Sequence, residues 1–396
     1  MRVAVVGTVY RPHSHVDVCV GKLLNTIPTD HGPVRPRLEV VSMYLDQTSA
    51  GGDDADISAK VLAQHGVPLF ASVRLALTLG GSELAVDGVL VVAEHGDYPY
   101  DELGRKAYPR KFMIEQITAA IASDPSGRRI PIWNDKYISS LWADCKWVYD
   151  RCMGLGVPFM SSSSLPFAWR RPWLEPPLGT PLTHAVAVGY SSMEMFLPHA
   201  LEALGCMTER RPGGEHGVRS LCCVRGSDVW RDEQPWWRDL AEAAVACVGG
   251  GNSAGGGGYG NEAVVDGPLW RTKHCREPLL LTIEYVDGLL GAVLLLDGYT
   301  GSLCYAGTDR SEGAGGGEIA ESAIAACEFF LSGGPNPGET VQEGGPEPST
   351  GSCWTGFAHG SYQLLDVEEC FLACHAEHEA SEGRSLRQRT ERSAAH

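Results

Sequence analysis

Asn134, Asp135 and Lys136 interrupt a short apolar run, Ile130 to Trp133, and are followed by Leu141, Cys145, Val148 and Tyr149 at helical spacing. The pattern reads as strand, polar tip, helix. At the carboxyl end of a strand in an open α/β sheet such residues face the ligand crevice. There a lysine can stabilise developing negative charge and an aspartate can orient or accept a proton. A solvated loop pair is the alternative reading of Asp135 and Lys136. A second group, Glu94-His95-Gly96-Asp97, closes the most apolar strand of the N-terminal half, Asp87 to Ala93. Histidine titrates near neutral pH, so His95 can move a proton while Asp97 holds its tautomer; the alternative is a structural loop histidine. Farther along, Glu194 and His199 lie five residues apart with Pro198 between them. A regular helix would turn them away from each other, whereas a new turn begun at Pro198 would bring them round. His199 is the acid/base candidate of that stretch, and core or capping duty is its alternative.

These residues need strands and helices to hold them. Arg2 to Thr8 is a buried-strand pattern, and Val16 to Leu24 has helical spacing after a Tyr10-to-His15 loop. Leu38 to Asp46 is a second strand, Asp53 to His65 turns helical, Val67 to Phe70 is a brief third strand, and Ser72 to Leu79 a short helix. Phe112 to Ala122 gives a helix before Ile130, and Val157 to Met160 a sixth strand. Strands alternating with helices over this length predict a doubly wound parallel sheet. Beyond a Pro- and Trp-rich crossover, Ser161 to Pro181, the strands read as antiparallel: Thr183 to Tyr190, Val218 to Arg225, Leu279 to Asp287, Leu289 to Tyr299 and Ser302 to Ala306. Asp287-Gly288 is a hairpin signal. Helices are expected over Glu194 to Met207, Trp236 to Cys247 and Ile319 to Leu331, and Gly249 to Gly260 and Gly333 to Gly351 read as disordered insertions. Ser161 to Ser164, with Arg170 and Arg171, are candidates to line the cleft, an ordinary loop being the alternative.

The chain has 396 residues, 43% hydrophobic and 20% charged, enough for two domains with sizeable cores. Its 32 basic and 49 acidic side chains give a net charge of -17. That balance repels nucleic-acid backbones and anionic membranes, so neither is an expected partner and a small-molecule substrate is. The basic cluster from Arg384 to Arg392 reads as a frayed, solvated tail. Thirteen cysteines without a spaced framework predict free thiols in a reducing compartment. Met1-Arg2 runs directly into Val3 to Val6, leaving no room for a targeting peptide, and no apolar run nears the roughly 20 residues of a membrane span. A cytoplasmic protein is expected. No zinc-ribbon Cys/His spacing, HExxH or P-loop occurs, and no metal site is expected.

In element order and local motifs the chain resembles the Gfo/Idh/MocA oxidoreductases, named for glucose-fructose oxidoreductase and inositol dehydrogenase. Val3 to Gly7 is similar to that family's first strand, Gly66 to Leu77 and Asp87 to Ala93 to its next strand, helix and strand, and Thr282 to Val293 to the hairpin of its substrate domain. Asn134-Asp-Lys136 falls where the family has Glu-Lys-Pro. The resemblance implies a Rossmann-like domain over residues 1–165 and an α+β domain over 166–396, whose open, mostly antiparallel sheet can assemble homo-oligomers. It implies an NAD(P)-dependent oxidoreductase of a polyol, sugar or related hydroxy compound. Lys136, His95, Asp135, Glu194 and His199 would act on the substrate. Gly7, Thr8, Arg11, Asp46 and Glu94 would meet the cofactor, and Asp46, if it is not merely a turn-forming aspartate, favours NAD over NADP. The chain departs from the pattern at Gly7-Thr-Val-Tyr-Arg-Pro12, which keeps only the first glycine of Gly-x-Gly-x-x-Gly and puts bulky residues where the backbone should approach a pyrophosphate. Arg11 can supply a charged contact in place of the lost backbone ones. A non-catalytic binding or regulatory protein, or a lyase or hydrolase, remains open on the same scaffold.

Overall fold

The computed structural model describes residues 1–29, 32–48, 56–231, 235–248, 275, 277–296, 302–309, 324–330, 364–365 and 367–376. The chain forms two compact units, one of residues 1–164 with 360–396, the other of residues 165–359. In the first, six parallel strands alternate with five helices: β1 (Arg2–Gly7), α1 (His15–Leu24), β2 (Glu39–Leu45), α2 (Ser58–His65), β3 (Leu69–Phe70), α3 (Val73–Thr78), β4 (Gly88–Val92), α4 (Arg110–Ala122), β5 (Ile132–Asp135), α5 (Trp142–Leu155) and β6 (Phe159–Ser162). Their order is β3-β2-β1-β4-β5-β6, that of a doubly wound sheet whose connections reverse between β1 and β4. Burial on both faces explains the continuous apolar runs. Along β1, Val3 and Val5 join Leu90 and Trp133 on one face, while Ala4 and Val6 join Val89 and Val91 on the other, beneath α3 and α4. The expected helix from Asp53 is observed from Ser58, residues 53–55 lying outside the described ones.

The domain expectation differs from the observed division at the C-terminus. Leu364, Val367 and Phe371 are buried in the core of the first unit, on the side of the sheet that carries α1. A Cβ on Gly88 would stand 2.5 Å from the Phe371 ring, so β4 and this segment are fitted to each other. The fully buried Glu368 accepts hydrogen bonds from the backbone N–H groups of Arg37 and Leu38 at 2.7 and 3.2 Å. The apolar spacing of this segment carries no signal of which sheet it will cover.

The second unit is a seven-stranded mixed sheet of β7 (Trp169–Arg171), β8 (Leu182–Gly189), β9 (Val218–Arg225), β10 (Leu279–Tyr285), β11 (Leu290–Leu295), β12 (Leu303–Asp309) and β13 (Ile324–Phe330), in the order β7-β13-β12-β8-β11-β10-β9. All neighbours are antiparallel except β8 and β11. The hairpin at Asp287-Gly288 forms as expected, with Gly288 at φ +92°. Helices α6 (Met193–Thr208) and α7 (Arg238–Ala246) supply buried residues to two separate cores of the unit. Within the helix expected over Ile319 to Leu331, residues 324–330 are instead strand β13, paired to β12 from Leu303↔Phe329 to Thr308↔Ile324, and residues 319–323 and 331 lie outside the described ones. Alanine-rich sequence favours helix, but Cys327, Glu328 and Phe329 are all buried at that register, and tertiary packing overrides propensity. The segments Gly249 to Gly260 and Gly333 to Gly351 lie outside the described residues. Among the described residues no helix is long and apolar enough to cross a membrane.

The Phe371 contact yields the first prediction. Phe371→Ala should lower the stability of the first unit by about 3–5 kcal/mol, the cost of emptying a buried aromatic site. Urea denaturation of parent and variant measures it, and a loss below about 1 kcal/mol would mean that the segment rests on the core without helping to build it.

Candidate functional site

The tips of β1, β4 and β5 bring together side chains that are far apart in sequence. Thr8, just past β1, is fully buried, and its hydroxyl donates to the Glu94 carbonyl at 2.6 Å, which ties the tips of β1 and β4 together. Gly7 has no room for a side chain, since a Cβ there would lie 2.9 Å from Val16 and 3.1 Å from Leu45. Helix α1 therefore starts close against β1. Ser14 caps it, accepting from the Asp17 N–H, so the first helical residue, His15, emerges at the crevice beside β4 and β5. His15 is buried, and its Nδ1 lies 2.6 Å from Asp135 Oδ2. Its ring packs 5.3 Å from that of His95, and its N–H donates to His95 Nδ1 at 3.4 Å.

Glu94 is the centre of charge. One carboxylate oxygen pairs with Arg110, the first residue of α4, and the other lies 3.5 Å from Lys136 Nζ. Arg110 is 2% exposed, with its guanidinium between the Tyr108 and Tyr137 rings at 4.5 and 4.4 Å. Burial alone would raise the Glu94 carboxyl, but Lys136 and then Arg110 hold it well below the usual carboxylate range. Asp135 is similar: burial raises it, and the neighbouring His15, by charge and hydrogen bond, with Lys136, brings it below its ordinary 3.8. Both acids therefore stay ionised. Desolvation, and then the adjacent His15, lower His95 from 6.5 to about 4. Its ring remains exposed, so solvent screens part of that shift.

Lys136 has a left-handed backbone, φ +70°, which a lysine adopts only when its surroundings enforce it. Its N–H donates to the Ser162 carbonyl at 2.9 Å, and its carbonyl accepts from Asn134 Nδ2 at 2.9 Å and Ser161 Oγ at 2.6 Å. His95 and Gly96 also have positive φ, +66° and +105°, and a Cβ on Gly96 would collide with Tyr98 and Gln47. The turn after β4 thereby carries the next residues over the end of β2. Asp97 N–H donates to Gln47 Oε1 at 2.8 Å, Gln47 Nε2 to the Asp97 carbonyl at 3.2 Å, and the Tyr98 hydroxyl to Asp46 at 2.7 Å.

Of the residues expected from sequence, Gly7, Thr8, Glu94, His95, Asp135 and Lys136 gather at the three tips, while Arg11 and Asp46 lie at the first turn and the end of β2. Asp97 does not hold His95; it pairs with Arg11 at 3.3 Å, with a side chain 82% exposed. Tyr10 does not crowd the turn: it is 1% exposed and packs in the α1 core, so a glycine there would open a cavity instead of freeing the crevice. Pro198 does not restart its helix. Helix α6 runs through it from Met193 to Thr208, and His199 Nδ1 lies 3.4 Å from Glu202. Both residues belong to the second unit. Ser161 and Ser162 serve Lys136 through hydrogen bonds, whereas Arg170 is buried in the second unit against Phe329, its guanidinium 5.3 Å from that ring.

His15, Arg110, Tyr108 and Tyr137 were not foreseen. Ser14-x-x-Asp17 is a capping signature that sets the start of α1 at His15. An arginine in the first turn of a helix opposes the helix dipole, so Arg110 required a carboxylate partner.

No family model and no curated protein matches the chain. Among solved structures it is similar to GenD2 from gentamicin A biosynthesis in complex with NAD, at 12% identity over 92% of this chain and 85% of that one, with a TM-score of 0.48. It is also similar to an oxidoreductase from Agrobacterium radiobacter in complex with NAD+, L-tartaric acid and magnesium, at 11% identity over 95% and 89%, with a TM-score of 0.46.

The ion pairs set an acid limit. Both carboxyls titrate lower in the folded than in the unfolded chain, so between those values the unfolded chain binds more protons and stability rises with pH. Their contribution is complete above about pH 5 and is lost as pH falls below about 4. Glu94→Gln, which strands the buried Arg110 charge, should cost about 3–5 kcal/mol at pH 7, nearer the lower figure because Glu94 is 16% exposed. Denaturation midpoints from pH 7 to pH 3 check this: the gap between parent and variant should close on acidification, and a constant gap would mean that the charge of Glu94 is not what is lost.

Proposed function

We propose that this protein is a nicotinamide-dependent oxidoreductase of the Gfo/Idh/MocA type, acting on a polyol, sugar or related hydroxy compound. One observation carries the reading: at the crevice of a β3-β2-β1-β4-β5-β6 parallel sheet, an enforced Lys136 ammonium stands beside an ionised carboxylate and a buried His15–Asp135 pair. Ligands bind such sheets at the strand ends, at the reversal of strand order.

The residues at the first turn fit a dinucleotide held by charge. Among the described residues Arg11 is tied to the largely exposed Asp97 by a pair worth little in water, so it can turn to a phosphate at the start of α1. Asp46 is exposed and has accepted two tyrosine hydroxyls, leaving acceptor capacity for a ribose hydroxyl; that favours NAD over NADP. When bound, the nicotinamide supplies the hydride acceptor. The chain's own residues handle the proton and the charge. Lys136 donates to the substrate oxygen and stabilises the negative charge that develops there. Asp135 fixes the orientation and tautomer of the His15 ring, which can hold a proton beside Lys136. Glu194 and His199 are not needed for this step.

A second reading, a binding or regulatory protein without hydride chemistry, is favoured by the same turn. Asp17 accepts from the His13 N–H at 2.8 Å, placing a carboxylate where a pyrophosphate would sit, and Tyr98 already occupies one oxygen of Asp46.

Titration with NADH and NADPH, followed by quenching of tryptophan emission, separates the two: saturable micromolar binding of either supports the oxidoreductase, and none for both supports the second reading. With a turned-over substrate in hand, Lys136→Ala should lower kcat roughly a hundredfold in a folded protein. Unchanged turnover would remove Lys136 from the chemistry. Arg11→Ala should weaken cofactor binding roughly ten- to a hundredfold, as loss of a charge-assisted hydrogen bond does.

A further inference from the structure

Helix α5 is held on two sides and open on a third. Val148 and Cys152 are buried in the core of the first unit. On one flank Lys111 of α4 reaches Asp144 at 3.1 Å and lies 5.5 Å from the Trp147 ring. The other flank carries Trp142, Lys146, Tyr149 and Met153, which a helical turn of about 100° per residue gathers into a strip about 60° wide. The strip faces solvent: Trp142 is 79% exposed, Tyr149 58% and Met153 47%, with the Lys146 side chain at 58%. Exposed apolar residues scattered singly mean little. These follow one another at intervals of four, three and four residues, the heptad spacing by which one helix packs along another.

The seam complements itself in one orientation. When two copies of α5 lie antiparallel about a two-fold axis, the first residue of each seam meets the last of the other, and the second meets the third. Trp142 then packs on Met153 of the second copy, a sulfur–aromatic contact, and Lys146 lies over the ring of its Tyr149, a cation–π contact. The two-fold axis makes each contact twice. Asp150, which pairs with Lys146 at 2.6 Å within the helix, borders the seam and comes opposite Ala143, so no two carboxylates confront each other. A parallel pairing would instead set Lys146 against Lys146 in the middle of the seam, and like charge opposes it.

Area sets the strength of such a contact. A buried aromatic side chain covers about 150–250 Å², so the strip offers on the order of 500 Å² a copy. The pair then falls just short of the roughly 1,200 Å² at which stable interfaces of standard size begin. Each copy also carries a net charge of -17, which repels the other at long range. We propose that two copies of this chain form a weak, reversible dimer through an antiparallel two-fold packing of α5, separate from the open sheet of the second unit. The dimer does not rest on the oxidoreductase reading.

Sedimentation equilibrium of the full chain from about 1 to 300 µM tests the proposal, a range that brackets micromolar association. The parent should pass from monomer towards dimer across it. Trp142→Asp, in the first turn of a helix where an acid is tolerated, should keep the fold by circular dichroism and weaken dimerisation at least tenfold. Lys146→Glu should do the same, by placing an anion on the Tyr149 ring of the second copy beside Asp150, and it decides the matter should Trp142→Asp not fold. Trp142→Ala and Met153→Ala should each weaken the dimer, and the double variant should weaken it by less than the product of the two, since both empty the same layer. A parent that stays monomeric throughout overturns the proposal. So does a dimer that either folded charge variant leaves as tight as in the parent, because association would then run through another face, and a double variant that shows the full product overturns the antiparallel register.

Discussion

A guanidinium does not give up its proton inside a protein, so a side chain as buried as Arg110 compels a carboxylate to stay beside it. Glu94 meets that demand, and the demand organises the tips of the sheet. Arg110 opens α4 and Glu94 follows β4, so their pair closes the loop between strand and helix at its base. Tyr108 and Tyr137 shield the guanidinium from both sides, and Tyr137 belongs to the next loop, after β5. Two neighbouring crossovers are thereby fixed to each other by one charge. Lys136 reaches Glu94 from the β5 tip, and so its position depends on a pair in which it takes no part.

The backbone at Lys136 is held by a second, independent set of contacts. A left-handed conformation costs a residue with a Cβ on the order of 1–2 kcal/mol, and nothing in a lysine side chain repays it locally. Ser161, Ser162 and Asn134 do, by fixing both the N–H and the carbonyl of Lys136. Strain of this kind persists where the surroundings over-determine it. At this tip it brings the ammonium to Glu94 while His15 holds Asp135, so two consecutive residues face different partners. The order of carboxylate, histidine and ammonium across three strands is a product of the turns as much as of the side chains.

Legibility in the sequence followed the range of the interactions. Strands β1, β4 and β5 stood out because burial on both faces writes itself as unbroken apolar runs, and Glu94, His95, Asp135 and Lys136 stood out because they end or follow such runs. Arg110 and His15 did not, since their importance comes from partners 16 and 120 residues away in sequence. The helix read over Ile319 to Leu331 failed for a related reason: its alanines obey local propensity, but β12 offered a register that buries Cys327 and Phe329. Phe371 gave no hint of returning to β4, because a helix face shows that it will be buried and not against what. The new turn expected at Pro198 was of another kind, a proline taken as a break where the helix accommodates it.

The first turn poses the remaining physical question, how a doubly wound sheet can meet a phosphate without its glycines. Glycines act there by letting backbone N–H groups come close, a contact that is short, neutral and little affected by salt. At this turn those groups are committed elsewhere: His13 N–H to Asp17, His15 N–H to His95, and the Thr8 N–H to the Val92 carbonyl at 3.3 Å. Only Gly7 keeps its place, and it does so for packing against Val16 and Leu45. What remains on offer is the Arg11 side chain, long, mobile and charged. Binding through it would be screened by added salt and would form only after Arg11 leaves Asp97, the residue that also ties Gln47 to the loop over β2. Asp97 holds Gln47 by its backbone N–H and carbonyl and not by the carboxylate that meets Arg11, so Arg11 can turn away without disturbing the loop beside Asp46.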